Sequence, residues 1–71
     1  MEFERFAIHI DENILFVIPQ GDDTYIIYQG DKRLGVIERE WINAEQSWAS
    51  AELGDAEYIR HIGNAIDDQE M

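Results

Sequence analysis

The sequence predicts an α+β domain: a four-stranded antiparallel meander, a C-terminal helix packed on one face, and a short Trp-containing helix or loop between them. Two patterns carry this. Residues 3–38 hold runs of Ile, Val, Phe and Tyr separated by short turn-rich stretches, which connect antiparallel neighbours. Residues 56–68 carry isoleucines at helical spacing behind an aspartate suited to capping.

The expected strands are Phe3–Ile10, Ile14–Ile18, Tyr25–Gln29 and Arg33–Glu38. Asp11-Glu12-Asn13, the stretch from Pro19 to Asp23, and Gly30-Asp31-Lys32 supply the turns. In the third hairpin, a turn at Asp31-Lys32, or a longer one from Gly30 to Arg33, sets Tyr28 opposite Gly35. The Tyr28 ring is then expected over the glycine, with Tyr25, Ile27, Leu34 and Val36 on one face and Ile26, Tyr28 and Ile37 on the other.

The same GDKRLG stretch is not a phosphate loop. Such a loop places Lys and a hydroxyl residue after its last glycine and then opens a helix. Here Val36-Ile37-Glu38 follows, which is strand sequence.

Residues 40–54 are expected to form a short helix, with an irregular loop as the alternative. Trp41, Ala44, Trp48 and Ala51 fit a helical stripe, Asn43 and Gln46 resemble a capping box, and Leu53-Gly54 suits a stop. The final helix, Ala56–Asp68, is capped by Asp55 and buries Ile59, Ile62 and Ile66. Gly63 lies on that stripe at a cost of about 1 kcal/mol in helix propensity, so a close approach to the sheet is expected there. Asp67, Asp68 and Glu70 crowd the negative end of the helix dipole, which predicts fraying beyond Ile66 or a partner that neutralises them.

Composition narrows the function. Seventy-one residues make one domain, 1–71, and a chain of this size buries about 60% of its unfolded surface. There is no cysteine, hence no disulfide or thiolate metal site. The start MEFERFAIHI lacks the basic and apolar regions of a signal peptide, and no apolar run is long enough to cross a bilayer. A soluble, cytoplasmic protein is expected. The net charge is −11, more acidic in the second half. That balance argues against binding nucleic-acid backbones or anionic membranes and suits a basic protein partner.

Catalytic and metal signatures are sparse. His9 and His61 are the two histidines; Glu57 and His61 share a helix face but do not make a ligand set. Asp22-Asp23 and Asp67-Asp68 do not fit a calcium loop, and no serine lies in a nucleophile-elbow context. No enzyme activity, cofactor or metal is expected. The expected role is a non-enzymatic protein-binding or accessory module with an acidic surface. Trp41 and Trp48 would be anchors, and Asp67, Asp68 and Glu70 would steer a basic partner. Core closure is the competing role for the tryptophans. A nucleic-acid mimic that inhibits a DNA- or RNA-binding protein and a structural homodimer are the alternative functions.

Both sheet faces read as apolar. Ile14, Phe16 and Ile18 point one way, and Leu15 and Val17 the other. One helix covers one face, so the tryptophan segment in cis or a second copy in trans is expected on the other.

The order of the meander, the hairpin Gly30…Leu34-Gly35-Val36-Ile37, Trp48 and the run from Tyr58 to Ile66 resembles small acidic bacterial single-domain proteins of unknown function. They share a leucine-glycine-hydrophobic-isoleucine hairpin, an isolated tryptophan and an isoleucine-glycine…isoleucine end helix. The resemblance implies a small α+β domain and brings no functional residue with it.

Overall fold

The computed structural model describes residues 5–70. Five strands form one antiparallel meander in the order β1-β2-β3-β4-β5, followed by one helix. They are β1 (Phe6–Ile10), β2 (Asn13–Pro19), β3 (Thr24–Gln29), β4 (Lys32–Ile42), β5 (Glu45–Ala49) and α1 (Ala56–Glu70). The α+β class and the meander agree with expectation, with one strand more than expected. The expected start of the first strand at Phe3 lies outside the described residues.

Alternation along the strands builds the core. Ile8, Ile10, Leu15, Val17, Tyr25, Ile27 and Ile37 are buried on one face, where Ile59, Ile62 and Ile66 of α1 meet them. Asp55 caps the helix: its Oδ1 accepts from the Glu57 amide at 3.0 Å and the Tyr58 amide at 3.2 Å. The helix packs against β1, β4 and β5. It therefore reaches both edge strands, and the sheet curls around it.

Residues 40–54 depart from the expected short helix. β4 continues to Ile42, and β5 folds back on it with Arg39 opposite Trp48 and Trp41 opposite Gln46. The turn is Asn43-Ala44, at φ +52° and +68°. Positive φ at both central residues marks a type I′ hairpin. Asn43 is thus the first residue of a hairpin turn and Gln46 lies on the returning strand, where a capping box was expected. The segment also leaves the second sheet face uncovered, because β5 extends the sheet and turns Trp48 toward the helix.

The third hairpin differs in register. Its turn is Gly30-Asp31, with Gln29 opposite Lys32, and a bulge between Ile27 and Tyr28 places Tyr28 opposite Arg33 and Ile27 opposite Gly35. The inserted residue reverses the expected faces of β4: Ile37 joins Tyr25 in the core, and Val36 joins Ile26 on the opposite face. Gly35 is covered by Leu53, whose Cγ lies 3.3 Å from where a Cβ would stand, and not by Tyr28. Ser50 fastens this covering loop: its hydroxyl donates to the Val36 carbonyl at 2.6 Å and accepts from the Leu53 amide at 3.0 Å. Arg33 and Glu52 clamp it from outside at 2.6 and 3.0 Å. The guanidinium beside Glu52 holds that carboxyl below its ordinary value.

Gly63 has the close approach its position implied. A Cβ there would stand 2.3–2.4 Å from the Trp48 indole, so the ring lies directly on the helix backbone. Gly63→Ala should cost about 1–3 kcal/mol by overpacking, against a propensity gain near 1 kcal/mol. Gly54, with nothing within 4 Å of its Cβ direction, is the control. Urea melts should show a lowered midpoint for Gly63→Ala alone; equal midpoints would remove the indole contact from the account. Ala44→Gly should act oppositely, raising stability by about 1 kcal/mol, because an L-residue is strained at φ +68°.

Candidate functional site

Three surfaces stand out: the acidic end of the helix, the second sheet face and the outer edge of β5. At the helix end, Arg39 projects from β4 toward α1 with its side chain 14% exposed. Its guanidinium lies 4.9 Å from the Trp48 ring centroid and 5.8 Å from that of Tyr25. It bonds Asp67 at 2.9 Å and faces Asp23 at 3.7 Å. Gln46 donates to the other Asp67 oxygen at 2.7 Å.

The expected contact residues therefore separate. Asp67 is engaged within the chain, which neutralises part of the acidic helix end, and α1 runs on to Glu70 instead of fraying after Ile66. Trp48 is half-buried against the core, at 5.8 Å and 55° from Tyr25, which is the core-closure role. Trp41 is 63% exposed, on the strand position opposite Gln46. Asp68 is exposed on the helix. Glu70 ends the helix, and its side chain lies outside the described set. Arg39 was not singled out from sequence. The signal for it was the alternation of Arg39 and Trp41 against Gln46 and Trp48.

Among the described residues no element packs on the second sheet face, whose apolar side chains Phe16, Ile18, Ile26, Tyr28 and Val36 are partly buried. Register places Phe16 beside Tyr28, and Ile18, Ile26 and Val36 in one row across three strands. Ile14, half exposed, extends the patch toward the β1–β2 turn. Arg5 stands over the Phe16 ring at 5.1 Å on the β1 side. His9 shares this face on β1, while Glu38 and Glu40 occupy it on β4. The face is thus apolar in the middle, basic at one side and acidic at the other.

The β5 edge borders a groove of about 540 Å³ lined by Gln46, Ser47, Trp48, Ala56, Glu57, Arg60 and Asn64. A smaller cleft of about 250 Å³ between β1 and α1 is lined by His9 and Asp11 on the strand side and His61 and Asp68 on the helix. Among the described residues, no three such groups converge on a metal position. Burial, with Asp11 adding to it, pushes the Tyr58 phenol above its ordinary value. The other acids are spread over the turns at both ends of the sheet and along the helix.

No protein family, curated protein or solved structure matches the chain. Among the described residues, no helix is long and apolar enough to cross a membrane.

The two neighbouring aspartates should respond differently to neutralisation. Asp67→Asn removes a charge partner from a largely buried guanidinium and should lower stability by about 1–2 kcal/mol. Asp68→Asn, on the exposed side, should stay within about 0.5 kcal/mol of wild type. Thermal melts of the two variants decide this, and equal responses would mean that Asp67 is not the anion Arg39 depends on.

Proposed function

We propose that this chain is a non-enzymatic protein-binding module whose main contact surface is the uncovered sheet face. The observation that carries the reading is the contiguous patch of Phe16, Ile18, Ile26, Tyr28 and Val36, with Ile14 at its end. An apolar patch of this continuity, rimmed by charge, is the usual mark of a protein interface. The charge of −11 supplies long-range attraction to a basic partner, and exposed Trp41 and Asp68 lie outside the patch as secondary contacts. The expected anchors thus shift from Trp48 and Asp67, both committed to internal contacts, to the sheet face.

A second reading, self-association, is favoured by the charge gradient across the face. A two-fold axis parallel to the strands and lying between the two faces sets the β1 side of one copy over the β4 side of the other. Arg5, on the row of Ile18, Ile26 and Val36, would then approach Glu38 of the second copy, two residues further along β4. A nucleic-acid mimic needs its acids in a continuous line; Glu38, Glu40 and Glu45 share one face at the β4–β5 edge, while the other described acids sit on turns, the β5–α1 loop and the helix, which ranks this reading below the other two.

Ile26→Glu tests the face at its centre without touching the core. Affinity capture and sedimentation velocity, at low and high salt, should show partner retention or dimerisation abolished in this variant. Loss of a partner at high salt identifies steering by the acidic surface. Self-association that tightens with salt identifies the homodimer, because screening relieves repulsion between two chains of the same sign. If Ile26→Glu retains every interaction of the wild type, the sheet face is not the contact surface.

A further inference from the structure

β5 is an edge strand, and its outward backbone groups can be located. The pair flanking a two-residue hairpin turn is hydrogen-bonded, and bonded and non-bonded pairs then alternate. Ile42 and Glu45 flank the Asn43-Ala44 turn. Glu45, Ser47 and Ala49 therefore turn their N–H and C=O groups toward β4, while Gln46 and Trp48 turn theirs outward. An independent bond agrees. The Arg39 amide donates to the Asp23 carbonyl at 2.8 Å, on the β3 side, so Arg39 and its opposite number Trp48 form a non-bonded pair.

These outward groups border the groove between β5 and α1, whose far wall is Ala56, Glu57, Arg60 and Asn64. A strand added to β5 would lie about 4.8 Å away in the sheet plane, on the side where this groove opens. We propose that the groove takes an extended segment of a basic partner, added antiparallel to β5 and bonded to the main chain of Gln46 and Trp48. Its side chains alternate between two environments. Those facing the helix meet Ala56, Asn64 and the Glu57–Arg60 pair, 3.7 Å apart, and are best small and uncharged. Those facing the other way lie on the side of Glu40 and Glu45 and are best lysine or arginine. This surface is the main-chain edge of β5 and shares with the uncovered face only its acidic rim at Glu40, away from Ile26, so its test is read independently of Ile26→Glu.

The probe is a capped hexapeptide of alternating lysine and threonine, with the glutamate–threonine counterpart as control, titrated into the isotopically labelled chain. Binding should shift the Gln46 and Trp48 amides and slow their hydrogen exchange, with the basic peptide alone. Gln46→Pro removes an outward donor that β4 does not use, a substitution edge strands tolerate, and should weaken binding about fivefold to tenfold. Gln46→Ala keeps that donor but loses the bond to Asp67, and should bind as wild type. The exchange readout on the wild-type chain stands even if Gln46→Pro fails to fold. Shifts centred on Ile18 and Ile26, or no shift with either peptide, overturn the proposal. So does concentration-dependent protection of the Gln46 and Trp48 amides without peptide, which would show the edge already paired with a second copy.

Discussion

The fold turns on one contact, the Trp48 indole lying on Gly63. A single helix cannot cover five strands as a flat layer. Here the missing side chain at Gly63 lets a large ring pass beneath the helix, so the far edge of the sheet reaches α1 and the sheet curls. The indole joins four elements: β5 that carries it, the helix above, Tyr25 of β3 beside it and Arg39 of β4 stacked on it. In a chain this short, with few residues to spare for a core, one aromatic side chain does much of the work that a second helix does in a larger domain.

Arg39 answers the electrostatic problem that the C-terminus creates. Acids at the end of a helix oppose its dipole, and the last turn of α1 contains no base of its own. The compensating charge comes from β4 instead. Its desolvation is offset by two ring faces and by carboxylates from the β2–β3 turn and the helix. The same guanidinium therefore ties the acidic end of the helix to the sheet and backs the ring that spaces helix from sheet. Structural closure and charge neutralisation depend on one side chain.

Much of this was legible in the sequence, and the failures have physical causes. Strand runs with strong alternation, and a helix with a cap and an isoleucine stripe, leave little ambiguity. Gly63 announced a close contact, although its partner had to be found in space. The stretch around Asn43-Ala44 misled because polar and large apolar residues alternate on both faces of its hairpin, with Trp41 and Trp48 on one side and Ile42 on the other, which hides the period of two. Its turn also ends in alanine where glycine would have marked it. Against that weak signal, Trp41, Ala44, Trp48 and Ala51 fit a helical period by coincidence. In the third hairpin a single bulge residue exchanged the faces of β4, which sequence alternation cannot register. The apolar character of both sheet faces was readable. Which of them the helix would choose, and that the tryptophan segment would extend the sheet rather than cover it, was not.

The curl also bears on how the exposed parts of this sheet avoid indiscriminate pairing. A flat sheet with an open edge is a template for aggregation. At β5 the helix forms a wall beside the edge, so an incoming strand must fit the groove as well as the ladder. The acids at Glu40 and Glu45 on the other side repel another acidic chain, including a second copy of this one. In the readings proposed above, the broad face would contact a partner through side chains and the edge through the main chain. The two would share only the acidic rim at Glu40, and both remain open among the described residues because a single helix, held close by Trp48 over Gly63, closes only the concave side.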